Sequence, residues 1–453
     1  MRFKQLQQWL DWQLSLHDKA IDLGLERVAS VWQKFSPAFD NTFVITVAGT
    51  NGKGSSVAML EAILLSAGYR VGCYTSPHLI EYNERIRIDG EAVDDDQICQ
   101  AFEAIDQARK DTTLSYFEFG TLAALYCFKQ HQCDCIVLEV GLGGRLDAVN
   151  IIDADAALIT AIGIDHQDWL GDNREDIGRE KAGIFRQQQL AVFSGKDIPA
   201  SVVQTATNQE TSLWIAGQHY QMKQTAESWD LHSPQGNRHA LPYPALRGEH
   251  QLENAAGVVA LLQACRTTLP VSSEAIRNGL LEARLYGRFQ VMQWALGDVA
   301  EIGDIGETGD IREGEQGLCQ VVADVAHNPQ SMASLAENLR RFVIKGQLIA
   351  IVGMLRDKDS LESLKLLHPH VDRWILVSTQ GERGMSAEVL QKHLLELDDA
   401  SLSETCNNLA QARQSALQYL VNDDTLLVTG SFHIVGDFLA LEKKHQLTGD
   451  LEY

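Results

Sequence analysis

The stretch Phe43-Val44-Ile45-Thr46-Val47-Ala48-Gly49-Thr50-Asn51-Gly52-Lys53-Gly54-Ser55-Ser56 constrains the chain more than any other. Residues 43–47 are apolar or β-branched, which predicts a short buried strand. The chain then breaks at Gly49, turns through Thr50, Asn51 and Gly52, and takes up a helical pattern from Gly54 to about Ala67. A strand, turn and helix in this order surround an anion with backbone N–H groups and a helix N-terminus. Lys53 adds a point charge, and a hydroxyl just after it can reach a phosphate-bound metal ion. The spacing departs from G-x-x-x-x-G-K-[ST], because Val47 stands at the first glycine and Gly54 separates Lys53 from Ser55. An ordinary Gly-rich turn is the alternative; the strand before it and the amphipathic helix expected after it weigh against that.

Further strand and helix patterns alternate along the chain. Residues 3–16 have helical spacing, 17–28 form a polar loop entering another helix, 70–75 read as a strand, and three aspartates at 94–96 cap a helix to Arg109. A helix is expected over 116–130, and nearly continuous apolar runs at 134–140 and 156–162 predict strands buried on both faces. Residues 200–245 suggest small edge strands, and 252–265 a helix. The fold class is therefore α/β, with a doubly wound parallel sheet carrying the phosphate loop. A second set of strands near 319–323, 347–353, 373–378 and 425–429 predicts a smaller Rossmann-like α/β domain. The boundary is placed between 294 and 295, where the Gly-, Asp- and Glu-rich stretch 295–318 begins. In such sheets ligands sit beyond the carboxyl ends of the strands. Gly49, Ser76, Glu139–Gly141 and Asp165–His166 all fall at those ends and are expected to converge.

Charge and composition narrow the partners. A net charge of −23 argues against a nucleic-acid surface, so an anionic substrate must be held by local cations and helix termini. No apolar run approaches the roughly 18 residues of a membrane span, and the first residues lack the apolar core of a secretory signal. Eight cysteines without a framework read as reduced core thiols. A cytoplasmic monomer is expected, with no nucleic-acid or membrane partner.

The loop G-T-N-G-K-G-S resembles that of the ATP-dependent ligases that include the Mur ligases and folylpolyglutamate synthases, and Gly54 is similar to the folate branch. The strings S-P-H-L, Y-F-E-F-G-T, L-E-V-G-L-G-G-R-L-D-A-V-N, D-H-Q-D-W-L-G, G-R-E-K-A-G-I-F-R, G-R-F-Q, D-V-A-H-N-P, G-M-L-R-D-K-D and G-S-F-H follow in order. Together they resemble the bacterial dihydrofolate synthase/folylpolyglutamate synthase family. That resemblance implies a ligase that adds L-glutamate to dihydropteroate and to reduced folates through an acyl phosphate, with ATP as co-substrate.

The resemblance also implies a site. Thr50, Asn51, Gly52, Lys53, Gly54, Ser55, Asn254, Arg288 and Asp324 would bind ATP. Ser76, Glu139, His166 and Lys181, the last as N6-carboxylysine, would hold one or two Mg²⁺ ions, with K⁺ as a further candidate. Taken alone, His166 reads as a structural histidine and Lys181 as a solvated helix lysine. Lys53, His166 and Lys181 are the implied catalytic residues. Dihydropteroate would be held by Asp22, Leu23, Ser115, Tyr116, Phe117, Glu118, Leu146, Asp147 and Ala148, and glutamate by His327 and Ser431. The acidic 295–318 stretch departs from the family's pattern. A Mur-type ligase acting on a UDP-muramoyl peptide and a nucleotide-binding switch without turnover are the rival readings.

Overall fold

Both faces of the strand Phe43–Ala48 (β1) are covered. Val44 and Ala48 point into one apolar cluster, and Ile45 and Val47 into another. The protein is described by a computed structural model over residues 1–19, 21–35, 39, 41–295, 318–381, 383–397 and 402–445. Residues 296–317 of the acidic stretch lie outside the described residues.

Seven further strands join β1 in one sheet: Val71–Tyr74 (β2), Ile86–Ile88 (β3), Glu91–Ala92 (β4), Cys135–Glu139 (β5), Ala156–Ile159 (β6), Leu190–Phe193 (β7) and Ser212–Ile215 (β8). Their order is β4-β3-β2-β5-β1-β6-β7-β8, parallel from β2 to β8 with β3 and β4 antiparallel at one edge. After β1 the chain crosses to β2 on one side, and after β5 it crosses to β6 on the other. The carboxyl ends of β1 and β5 therefore flank the place where connections part, which is where open α/β sheets bind ligands.

One face of the sheet carries helices that include Leu6–Leu16, Glu26–Trp32, Asp95–Arg109 and Tyr116–Gln130. The other carries Lys53–Ser66, Glu249–Ala264, Ser273–Glu282 and a small antiparallel sheet of Gln221–Gln224 (β9), Trp229–His232 (β10) and Arg238–Leu241 (β11). The region 200–245 thus contains small strands, as expected, but opens with a helix at Ala200–Asn208. Helix Lys53–Ser66 is not amphipathic. Residues 55–61, 63 and 64 are buried, because it is clasped between the sheet and two further helices.

The described chain divides into two compact units, Met1–Leu285 and Tyr286–Tyr453. The expected boundary at 294/295 falls inside a strand, Gln290–Ala295 (β12), which pairs antiparallel with Leu318–Asp324 (β13) and so belongs to the second unit. That unit's sheet adds Leu348–Val352 (β14), Arg373–Val377 (β15), Ser403–Cys406 (β16) and Thr425–Thr429 (β17), in the order β12-β13-β17-β14-β15-β16. From β13 onward all its pairs are parallel.

Helix Ser273–Glu282 approaches the phosphate-loop helix at Gly279. A Cβ there would stand 2.4 Å from the Ile63 Cα and 2.5 Å from the Ile63 nitrogen. Backbone cannot swing aside as a side chain can, so Gly279→Ala must push the helices apart. The expected loss is roughly 1–3 kcal/mol, read as a lower urea midpoint for unfolding; an unchanged midpoint would contradict this packing.

Candidate active site

The turn after β1 is built around two glycines. Gly49 has φ 151°, and a Cβ on it would meet the Thr160 hydroxyl at 1.8 Å. Gly52 has φ 89° and lies against Asn254, whose Oδ1 would be 2.5 Å from an added Cβ. Neither position accommodates a larger residue. Thr160, just past β6, fixes the turn from the other side, its Oγ1 lying 2.7 Å from the Asn51 carbonyl and 3.2 Å from that of Ala48. The Thr50 hydroxyl similarly joins Gly163, accepting from its N–H and donating to its carbonyl, each at 3.0 Å. Gly52 is left-handed at the N-cap of helix Lys53–Ser66, and no side chain caps that helix. Its first N–H groups are thus presented as an anion site.

Two lysines meet on this turn. Lys53 Nζ donates to the carbonyls of Gly49 (3.0 Å) and Thr50 (3.2 Å), and Lys181 Nζ donates to that of Gly49 (3.0 Å). Lys181 is only 4% exposed, which corrects its reading as a solvated helix lysine. It is carried inward because helix Arg174–Ala182 packs against the Gly-rich string after β5. A Cβ on Gly144 would stand 2.8 Å from the Glu180 carbonyl, and Arg145 N–H donates to the same oxygen at 2.8 Å. Burial, reinforced by the Lys53 charge, lowers the Lys181 ammonium to about 7.

The neighbouring strand ends supply carboxylates. Glu139, 4% exposed at the end of β5, accepts the Ser76 N–H at 3.1 Å, and a Cβ on Gly54 would stand 3.8 Å from each of its oxygens. Ser76, Glu139 and the phosphate loop are therefore together. His166 lies beyond β6 in a left-handed conformation, its N–H donating to Asp165 Oδ1 at 2.8 Å. Among the described residues no group of three or more His, Cys, Asp or Glu is gathered to hold a metal. A cation beside Glu139 would consequently draw on Ser76, substrate oxygens and water. Such a hard oxygen set fits Mg²⁺, which keeps waters and takes few carboxylates.

Residues expected to hold the pterin are also close in the fold. Asp147 is buried, with its carboxylate accepting N–H groups of Leu142 (2.8 Å) and Val149 (3.0 Å). Leu146 precedes it and Ala148 opens the short helix that follows. The Phe117 ring covers Gly141, where a Cβ would meet it at 2.6 Å, and lies 5.7 Å from the Tyr74 ring. Tyr116 opens the same helix and lies edge-on to Tyr82 at 5.7 Å. Ser115 caps that helix in a reciprocal pair with Glu118: Ser115 N–H donates to Glu118 Oε2 (2.7 Å) and Glu118 N–H to Ser115 Oγ (3.3 Å). Asp22, next to Leu23, is tied to His17 at 3.1 Å and to Arg27 at 2.7 Å.

Within the second unit, β13 and β17 are adjacent with Asp324 opposite Thr429. Asp324 accepts the N–H groups of Phe289 and Ala326, both at 2.8 Å, and burial raises its carboxyl above the ordinary range against the Arg288 charge. The Arg288 guanidinium lies 5.1 Å from the Phe432 ring centre, and the His327 ring 5.7 Å from the same ring. His327 Nδ1 is 2.9 Å from the Val325 carbonyl, and Ser431 Oγ accepts the Ile434 N–H at 3.2 Å. Arg288, Asp324, His327 and Ser431 thus gather at one end of this sheet, around Phe432.

Comparison with known proteins bears on both units. The Mur ligase middle domain matches residues 47–262, and the Mur ligase glutamate ligase domain residues 310–432. The dihydrofolate synthase/folylpolyglutamate synthase of Escherichia coli strain K12 is 41% identical over 430 residues, 95% of this chain and 94% of that protein. The chain belongs to this family. Among solved structures, E. coli FolC in complex with DHPP and ADP is 39% identical with a TM-score of 0.87, covering 98% of this chain and 99% of that one. A bifunctional folylpolyglutamate synthase/dihydrofolate synthase with Mn, AMPPNP and L-glutamate bound is 39% identical with a TM-score of 0.84, covering 97% and 98%. The two-domain α/β architecture is the one these family members share.

Sequence reasoning missed Thr160 and Arg27. Thr160 had a signal, a lone hydroxyl in an apolar run at the strand end nearest the loop; Arg27 had none, being one charge among several in a polar segment.

Burial lifts the Asp147 carboxyl to about 6, against its N–H bonds and the charge of Lys53. The folded state therefore takes up this proton before the unfolded chain does, and the penalty of burying the anion is relieved as pH falls from about 6 toward 4. The ¹³C carboxyl resonance of Asp147, assigned by its loss in Asp147→Asn, should titrate with a midpoint near 6. A midpoint at the ordinary carboxylate value near 4 would contradict the burial.

Proposed function

We infer that this chain is an ATP-dependent ligase that adds L-glutamate to 7,8-dihydropteroate, giving dihydrofolate, and to reduced folates, giving folylpolyglutamates. The observation that carries the reading is the uncapped left-handed turn at Gly52 with Lys53 and Lys181 on the Gly49 carbonyl. It is a phosphate cradle at the strand ends where Glu139 and Asp147 also lie. The whole-length family match selects the folate branch over a Mur-type ligase acting on a UDP-muramoyl peptide.

A carboxylate is a poor electrophile and must be given a leaving group. An oxygen of the acceptor's carboxylate attacks the γ-phosphorus of ATP, the bond to ADP breaks, and an acyl phosphate forms. Lys53 and the N-terminus of its helix offset charge on the transferred group. The glutamate amine then attacks the acyl carbon, loses a proton, and expels phosphate. Ser76 and Glu139 would hold Mg²⁺ with substrate oxygens and water, His166 being assigned to the same ion by the family resemblance, and the ion would neutralise charge on the phosphates.

The remaining assignments are those the family resemblance implies. Thr50 to Ser55 and Asn254 line the phosphate turn, and Arg288 and Asp324 are proposed to contact the nucleotide. His327 and Ser431 are assigned to glutamate. Asp22, Leu23, Ser115 to Glu118 and Leu146 to Ala148 are assigned to dihydropteroate, with Phe117 as a stacking face and Asp147 an acceptor for ring N–H groups. Lys181 is proposed to be carboxylated. An amine lowered to about 7 is substantially neutral near neutral pH, and its nitrogen can bond to CO₂ with loss of one proton. The resulting carbamate replaces a buried cation beside Lys53 with an anion able to bind Mg²⁺. Among the described residues no helix is long and apolar enough to cross a membrane. A cytoplasmic monomer is the proposed working form, in keeping with eight buried thiols that form no disulfide.

Incubation with ATP, Mg²⁺, glutamate and dihydropteroate or a reduced folate should yield products heavier by one glutamate residue in mass spectrometry, together with ADP. Lys53→Ala should cut turnover by on the order of 10²–10³-fold with the fold retained; near-wild-type turnover would remove the loop from the chemistry. With ¹³CO₂, the wild type should give a carbamate ¹³C signal that Lys181→Ala lacks. Absence of that signal, with full activity in Lys181→Ala, would overturn the carboxylation.

A further inference from the structure

We propose that Arg27 is the positioning residue of the dihydropteroate pocket, clamping the segment that carries Asp22 onto the first turn of helix Tyr116–Gln130. The proposal rests on the pterin assignment above and adds a residue that the assignment does not contain.

One guanidinium joins three groups from two elements. Arg27 Nη1 lies 2.7 Å from Asp22 Oδ2, and Nη2 donates to the Asp22 carbonyl at 2.8 Å and to Glu118 Oε1 at 3.1 Å. Glu118 is held in turn, its other oxygen accepting the Ser115 N–H. The bond to the Asp22 carbonyl matters because it fixes backbone as well as side chain. His17 and Lys19 also reach the Asp22 carboxylate, at 3.1 and 3.4 Å, and His17 Nδ1 lies 2.9 Å from the Thr113 hydroxyl. Those two residues precede Asp22, whereas Arg27 follows it and reaches into the helix whose Tyr116 and Phe117 are assigned to the pterin.

Anchoring of helix Glu26–Trp32 is a separate matter. Val28 and Val31 are fully buried and Trp32 nearly so, in the cluster on that face of the sheet. They hold the helix whether or not Arg27 is present. Residues 21–25 are only half-buried, so their place depends on polar ties. The Arg27 side chain is 28% exposed and Glu118 only 4%, so the bridge is shielded enough to be strong on one side and open enough to adjoin a ligand. Asp22, presented this way, is a fixed acceptor for N–H donors of a flat heterocycle. A folate whose added glutamate shifts its ring away from this acceptor gains less from the clamp.

Four variants and two readouts test this. Arg27→Gln should lower kcat/KM for dihydropteroate on the order of 10- to 100-fold, the scale of a lost charge-assisted hydrogen bond, mainly through KM. The KM for ATP and kcat/KM for a reduced folate should change by less than about 3-fold, a margin below that scale. Arg27→Lys, which keeps a cation beside Glu118, should recover part of the loss, and Asp22→Asn combined with Arg27→Gln should cost little more than either alone. In the ligand-free protein, amide hydrogen exchange at residues 21–25 should quicken in Arg27→Gln while that at 28–32 does not. Equal losses on both acceptors, or unchanged exchange at 21–25, would overturn the positioning role. A wild-type enzyme active on reduced folate and inactive on dihydropteroate would instead overturn the pterin assignment, and this proposal as a statement about substrate with it.

Discussion

The protein's chemistry depends on a close approach that only glycine permits. At Gly49 the chain passes so near the Thr160 hydroxyl that a single added carbon would overlap it, and at Gly52 it turns left-handed against Asn254. Pinned there by Thr160 and Thr50, the backbone offers the N–H groups of the following helix to an anion. Lys53 and Lys181 both bond to the carbonyl of Gly49, and so their charge is placed by the same turn. The helix itself has no freedom to drift, being clasped between the sheet and the helix carrying Gly279.

Much of this arrangement is legible in the sequence because the central strands are buried on both faces. Such strands leave continuous apolar runs at 43–47, 134–140 and 156–162, and the functional residues follow directly after them. The strands the sequence does not announce include the short interior strand Leu190–Phe193 and two at sheet edges. β12 reads Gln-Val-Met-Gln-Trp-Ala, with no period-two alternation, and β16 is Ser-Glu-Thr-Cys, which looks like a loop when only one side pairs. A boundary at 294/295 therefore cuts through β12. Helix Ala200–Asn208 was missed for a related reason, its valines and threonines favouring strands in isolation.

Burial of charge is what the sequence conceals most fully. Lys181 sits in a polar helix and looks solvated, yet the close packing of Gly144 against Glu180 and Lys181 draws it inside. Its lowered proton affinity follows from that position. Asp147 is the opposite case, a carboxylate that burial makes easier to protonate although backbone N–H groups bond to it. Arg27 and Glu118 form a third kind, an ion pair joining elements far apart in sequence. None of the three is visible to periodicity, which reports which faces are apolar and not which charges are brought together.

The central claim, that the phosphate turn activates an acceptor carboxylate by transferring phosphate to it, is tested most directly by isotope transfer. Dihydropteroate labelled with ¹⁸O in its carboxylate would be turned over with ATP and glutamate, and the released phosphate analysed by mass spectrometry. An acyl phosphate predicts that each phosphate carries one ¹⁸O from the substrate, since the bridging oxygen leaves with phosphorus. Amide formation with unlabelled phosphate would contradict the account.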